Sequence, residues 1–308
     1  MAAGLRRTLA AAGLTAAVLT AGTTIAASAR HGTTVAASRS AGVAVPMSRS
    51  PESSPATSSP AAVPDAAEVA DAVAAAVTAQ SPGTRVGLTV FDRTSGRTVT
   101  SADADSPYYT ASVVKLLIAL DSLYDDGSWS VPEGDDADAL TDLLAGSDDA
   151  VASRLWEADG GSEIVRRMTD LLGLVATASP ADPGQWGMTE MSPDDVVTTY
   201  RYLEDTVPEA TAAPLLSALA GARDPADDGY PQYFGIPDGL PGSAWQIKQG
   251  WMVLRSALVL NTTGVVDSRY VVVLCTRQPA GTPAVTGRAA VTAGIRALAP
   301  ALAAWTAS

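Results

Sequence analysis

Lysine occurs twice in the 308 residues, at Lys115 and Lys248, against eighteen arginines, which marks both positions as candidates for chemistry that arginine cannot do. Arginine stays protonated in any ordinary setting, whereas a buried lysine can lose its charge and work as a base, so the two are not interchangeable. Ser112-Val113-Val114-Lys115 puts a hydroxyl and an amine three residues apart, which on a helix is one face and a single turn. A serine is a poor nucleophile until a neighbour takes its proton, and a desolvated lysine near a second cation has its pKa lowered enough to do so. A helix starting here would add partial positive charge beside the hydroxyl. The four residues equally fit a capping serine and a lysine that lays its stem on apolar surface with its ammonium in water.

Other chemistries are closed off by composition. The sole histidine, His31, lies in a stretch too poor in apolar residues to fold, so the folded part can hold neither a Ser-His-Asp triad nor a histidine metal site. One cysteine cannot make an internal disulfide, and Cys275 ends Tyr270-Val271-Val272-Val273-Leu274-Cys275, which reads as a buried strand. The formal charge is −13. Removing residues 1–29 takes away two arginines and no acids, giving −15, which argues against nucleic acid or an anionic membrane as partner.

The elements that must position Ser112 and the lysines lie in the second part of the chain. Residues 1–29 read as a secretory signal, with Arg6 and Arg7 as the positive head, an apolar stretch from Leu9 to Leu19 and Ala27-Ser28-Ala29 as the cleavage site. The mature protein is therefore expected outside the cytoplasm, with no stable membrane span, and with no cysteine near the cleavage site to carry a lipid anchor. Residues 30–64, rich in Ser, Ala, Pro and Thr, read as a disordered tether. Residues 65–308 are enough for one domain with a sizeable core.

Within that domain the pattern predicts a helix over 65–79, started at Pro64, then a hairpin of Val86–Phe91 and Arg97–Thr100 turned at Arg93–Gly96. A helix apolar nearly all round runs from Val113 to Tyr124. Helices are expected next over Leu140–Trp156, with Ser147 able to cap an acidic first turn, over Glu163–Leu174, and over Pro193–Leu203 capped by Ser192. The texture then turns to strands at Ala244–Lys248, Ser256–Asn261 and Arg269–Cys275, with a turn near Thr263-Gly264 and a closing helix over Val285–Leu298. The fold class expected is α+β: an antiparallel sheet covered by the N- and C-terminal helices (65–108 and 238–308), interrupted by an all-helical lobe (109–237).

Ser147-Asp148-Asp149 comes 35 residues after Ser112, and Lys248-Gln249-Gly250 comes 101 after Ser147. In the order of these three motifs the chain resembles the penicillin-recognising serine hydrolases, the class A β-lactamases and D,D-peptidases, whose signatures are S-x-x-K, S-D-N and K-T-G. Residues 147–161, SDDAVASRLWEADGG, are similar to the family helix that begins at the second motif and ends in paired glycines, and Trp245-Gln246-Ile247 to the strand carrying the third. The resemblance implies Ser112 as nucleophile, Lys115 as its base or proton relay, and Ser147 as the group that passes a proton to the leaving nitrogen. It implies further that Lys248 faces the pocket, holds a substrate carboxylate and by its charge keeps Lys115 partly neutral. The oxyanion hole would be the backbone N–H groups of Ser112 and Trp251. No metal or organic cofactor is implied; the substrate would be a small molecule or derived from peptidoglycan, and the protein a monomer.

Three departures bear on substrate and turnover. Asp149 stands where the family has an asparagine that donates to the substrate carbonyl; a carboxylate cannot donate but can pair with Lys115. Gln249 replaces the threonine or serine beside the substrate carboxylate. Residues 175–192 occupy the place of the loop that carries the deacylating glutamate, yet their carboxylates are Asp182 and Glu190 with no E-x-x-L-N. The stretch between the first two motifs is also short, which implies a trimmed helical lobe and a more open pocket. Arg255 could assist a carboxylate but reads equally as a surface residue, and Tyr108, Tyr109, Trp186 and Trp245 read as packing. The sequence admits two readings: an exported serine hydrolase acting through a Ser112 acyl-enzyme on a β-lactam, peptide or ester, or a penicillin-binding-like protein that binds a cell-wall ligand without turnover.

Overall fold

The computed structural model describes residues 63–308; the expected signal sequence, most of the expected tether and His31 lie outside the described residues. Five strands, β1 (Arg85–Asp92), β2 (Arg97–Ala102), β3 (Trp245–Val253), β4 (Ala257–Val266) and β5 (Tyr270–Pro279), form one antiparallel sheet in the order β2-β1-β5-β4-β3. Alternate residues of a strand point to opposite faces, and here both faces are covered. Val271, Val273 and Cys275 pack into the core of the helical part, while Tyr270, Val272 and Leu274 pack under α1 (Ala66–Gln80) and α9 (Ala284–Ala307). Antiparallel sheets commonly leave one face wet; β4 and most of β5 are buried throughout, which accounts for their unbroken apolar runs.

Asp65, not Pro64, starts the first helix, its carboxylate accepting from the N–H groups of Ala67 and Glu68. The expected turn at Thr263-Gly264 is absent: both residues lie inside β4, and the chain reverses at Asp267 and Ser268, which take the left-handed conformation at φ 51° and 55°. Gly264 is needed for space, since a Cβ there would come 2.4 Å from the Gln246 carbonyl on the neighbouring strand. Helix α9 is long and apolar enough to cross a bilayer by composition, yet it is a packing helix, with Ala290, Val291, Ile295 and Leu298 buried against the sheet.

The other face carries α2 (Lys115–Ser122), α3 (Asp135–Thr141), α4 (Asp149–Ala158), α5 (Ser162–Leu172), α6 (Pro193–Asp205) and α7 (Glu209–Ala220); a single turn, α8 (Ile236–Gly239), leads back to β3. Ser192 caps α6 through a bond from the Asp195 N–H, as the sequence predicts. The helix expected over Leu140–Trp156 is broken. After α3 the chain makes a π turn at Asp142–Gly146, Ser147 goes left-handed at φ 57°, and α4 starts afresh with Asp148 as its cap. Asp148 takes the cap because its carboxylate accepts from both Ala150 and Val151, and Ser147 is thereby freed from capping.

Candidate active site

Three chain segments meet where the helical part touches the edge strand β3. The first is the turn of 3-10 helix Ala111–Val114 that feeds α2. Ala111, directly before Ser112, holds φ 46°, a conformation costly for a residue with a Cβ and one that clusters at functional sites. The strain is held by two clamps. Thr110 donates both its N–H and its hydroxyl to the Thr189 carbonyl, at 2.8 and 2.9 Å, and the Asn261 amide donates to the carbonyls of Tyr109 and Thr110, at 2.9 and 3.1 Å. Against this turn lies Gly250, where a Cβ would stand 2.4 Å from the Thr110 carbonyl, so the third motif requires glycine for contact with the first.

Lys115 and Lys248 are both wholly buried. The Lys115 ammonium spends its three donors on the Asp149 carboxylate at 2.6 Å, the Ser147 carbonyl at 2.6 Å and the Ser147 hydroxyl at 3.2 Å. Lys248 donates to the same Ser147 hydroxyl at 2.8 Å and to its neighbour's carbonyl, that of Gln249, at 3.3 Å. Ser147 Oγ therefore bridges the two amines, and the left-handed turn is what aims both its carbonyl and its hydroxyl at Lys115. The Ser112 hydroxyl makes no hydrogen bond to Lys115 or to any other described residue; it opens on a pocket of about 250 Å³. Its N–H likewise has no acceptor among the described residues.

Burial, and after it the charge of Lys115, hold the Lys248 amine well below the ordinary lysine value. Lys115 is lowered too, by burial first, against the opposing pull of Asp149, then Asp148 and Asp228. Charge on either amine opposes charge on the other, and Asp149, 2.6 Å from Lys115, favours charge there.

The pocket is lined by Ala111, Ser112, Asp149, Trp251, Met252 and the segment 184–187. Two expectations about its walls are corrected. Gln249 is fully buried and donates its amide to the carbonyls of Gln232 and Phe234, at 3.2 and 2.6 Å, because alternation along β3 turns it away from Lys248 and Gly250. Lys248 reaches Ser147 rather than the pocket surface, so neither is placed to hold a ligand carboxylate. Trp186 is no mere packing residue: its ring lies 4.9 Å from the Lys115 ammonium and lines the pocket. Its indole N–H donates to Ser153 at 3.2 Å, and Trp156 donates to the Pro183 carbonyl at 2.8 Å, so α4 fixes this loop across the site. Trp251 is stacked on Tyr230, centroids 4.8 Å apart, and donates to Asp228 at 2.9 Å. Arg255 is exposed beyond the lining, Tyr108 is core, and Tyr109 sits with Asp182 and Glu190 in a neighbouring hollow. Trp245 packs edge-on against Tyr233. The sequence reading assigns no role to Asn261 or Asp228; a lone asparagine inside the apolar run of β4 is the one available signal.

No protein-family model matches the chain. It is 37% identical over 229 residues, 72% of each chain, to the "Putative lipoprotein LppW" of Mycobacterium tuberculosis and to that of Mycobacterium bovis. Among solved structures it is similar to a β-lactamase from Chitinophaga pinensis, with a TM-score of 0.62 at 15% identity over 76% of this chain and 99% of that one. It is also similar to a variant of PBP-A captured as an acyl-enzyme with penicillin G, with a TM-score of 0.60 at 18% identity over 77% of this chain and 97% of that one. The chain belongs to the family of the mycobacterial LppW proteins and has the fold of the penicillin-recognising serine hydrolases.

Proposed function

We propose that this protein is an extracytoplasmic serine hydrolase that forms an acyl-enzyme at Ser112 and releases it slowly. The observation that carries this reading is a pocket-facing serine hydroxyl, free of hydrogen bonds, beside two buried amines that share the Ser147 hydroxyl. The lipoprotein description of LppW supports a place outside the cytoplasm, and the substrate is a small molecule or a peptide of the cell wall.

The chemistry begins with a proton shift. With the 2.8 Å Ser147–Lys248 bond turned so that the hydroxyl donates to the lone pair of neutral Lys248, Lys115 passes a proton to Ser147 Oγ as Ser147 gives its own to Lys248, which leaves Lys115 able to take the Ser112 proton. Ser112 Oγ then forms a bond to the acyl carbon, and the charge that develops on the carbonyl oxygen is taken by the N–H groups of Ser112 and Trp251. The bond to the leaving group breaks as Ser147 protonates it, and Ser147 is reprotonated from Lys248. Hydrolysis needs a base for water. From the 175–192 loop the pocket receives the Trp186 ring, 4.9 Å from the Lys115 ammonium, and no carboxylate, which supports slow release.

Intact-mass measurement after exposure to an activated ester tests this: a lasting single acyl adduct on the parent and none on Ser112→Ala. A capping serine is worth at most about 2 kcal/mol, and Ser112 makes no side-chain bond, so the variant should fold. Equal labelling of the two proteins would overturn the assignment. A second reading, a binding protein without turnover, is favoured by one feature, the commitment of all three Lys115 donors away from Ser112. It predicts ligand binding with no adduct on either protein.

A further inference from the structure

The lining of the pocket contains one charged side chain, Asp149, whose side chain is 63% exposed, and no cation. The two amines below are wholly buried and bonded to Ser147, and Gln249 faces the other way. The carboxylates that act on Lys115 are Asp149, Asp148 and Asp228, so acids outnumber amines around the site even with both lysines charged. Trp186 and Trp251 stand in the same lining, but their faces are already engaged, Trp251 by Tyr230 at 4.8 Å and by Lys248 at 5.9 Å and Trp186 by Lys115 at 4.9 Å, so the attraction for a cation rests on Asp149. Asp228 accepts from the Trp251 indole N–H and adds negative charge behind that ring.

We propose that the pocket selects ligands and acyl donors that carry an ammonium group, and disfavours those that carry a carboxylate. The ammonium would sit against the exposed edge of the Asp149 carboxylate, while the acyl carbon is presented to Ser112. The Lys115 charge lies beneath Asp149 and reduces the attraction without reversing it, because Asp149 stands between that charge and the pocket and Lys115 has no donor left for a ligand. A carboxylate entering the same space would meet Asp149 with no cation to offset it.

This inference rests on the acyl-enzyme reading for its kinetics but not for its binding, so two measurements separate them. The first compares Ser112 acylation by the p-nitrophenyl esters of 6-aminohexanoate, heptanoate and adipate. The amino ester should be preferred over the neutral one by about tenfold and over the acidic one by more, a preference that weakens with salt. Asp149→Asn should narrow both ratios to within about twofold. The second measures tryptophan fluorescence as 6-aminohexanamide or adipamate is added to the Ser112→Ala protein, and only the amine should give saturable quenching. If no ester labels Ser112 yet the amine still binds better, the acyl-enzyme reading fails and the cation selectivity stands. If adipate acylates or adipamate binds at least as well as its amino counterpart, or Asp149→Asn leaves the ratios intact, the selectivity is wrong.

Discussion

The floor and the rim of the pocket were assembled under different constraints. The floor, Lys115, Ser147 and Lys248, is sealed and saturated with hydrogen bonds, and it reproduces the residue types and order that the fold's enzymes use. The rim, Asp149, residues 184–187 and Trp251, includes two of the departures from the family pattern, Asp149 and the loop within 175–192. Buried polar groups must each find a partner, so a change in the floor strands its neighbours at a cost of about 1–3 kcal/mol per group. The rim faces solvent and can change without that penalty. On the proposed acyl-enzyme reading, proton chemistry belongs to the floor, while selectivity and the fate of an acyl group belong to the rim.

The sharpest test of this division is Lys115→Arg. The guanidinium would keep the ion pair with Asp149 but cannot give up its proton, so a base is lost while the charge is retained. Acylation of Ser112 by a neutral ester should fall by about 10²–10⁴-fold, the range for a general base, with far-ultraviolet circular dichroism unchanged. An unchanged rate with an unchanged pH profile would mean that the floor is structural only.

Breaking the rim should leave acylation largely intact and alter the lifetime of the acyl group on Ser112. In Trp186→Glu a carboxylate replaces the ring that lies 4.9 Å from the Lys115 ammonium, on a loop still held by the Trp156 bond to Pro183. A carboxylate there can take a proton from water, and the acyl-enzyme lifetime, measured by mass after a single acylation, should shorten by about tenfold, below the full worth of an optimised base. A lifetime equal to the parent's would show that something other than the missing base limits release.

The same division marks what the sequence disclosed. The floor was legible because its chemistry needs particular residue types, and lysine is rare enough here for Lys115 and Lys248 to stand out. The sheet and terminal helices were legible from period and caps, down to Ser192. Ser147 as a left-handed residue was not, since Asp148 and Ser147 both suit a helix start and only the packing of the π turn decides between them. Gly264 misled because a glycine in a β region signals a turn, whereas here it makes room for a neighbouring carbonyl. Helix α7 was not resolved within the helical middle; it carries Pro214 in its interior, where proline ordinarily argues against a helix. Trp186 and Gln249 were misread because a side chain's direction depends on contacts far away in sequence, with Ser153 in one case and Phe234 in the other.

The smallest effect tests whether Lys248 is the uncharged member of the pair. An amine whose folded pKa is depressed binds a proton less readily in the folded protein than in the unfolded chain. Between that depressed value and the ordinary lysine value of about 10.4, the parent's stability must therefore rise with pH. Lys248→Met keeps the length of the stem and removes the titration. It also removes a hydrogen bond to Ser147 worth about 0.5–1.5 kcal/mol and the repulsion on Lys115. Relief of desolvation should at least balance that loss near neutrality, as when buried ions give way to apolar side chains, leaving the variant as stable as the parent or more stable by about 1–2 kcal/mol. The advantage should shrink between about pH 6 and about pH 9, because the contribution of Lys248 rises with pH in the parent and is missing from the variant, whereas that of the depressed Lys115 is present in both. Urea denaturation of both proteins at the two pH values reads the difference directly, and background titrations common to both cancel. A variant less stable than the parent by the same margin at both values would mean that Lys248 is a charged, fully compensated ion, and the proton could not then move from Lys115 through Ser147.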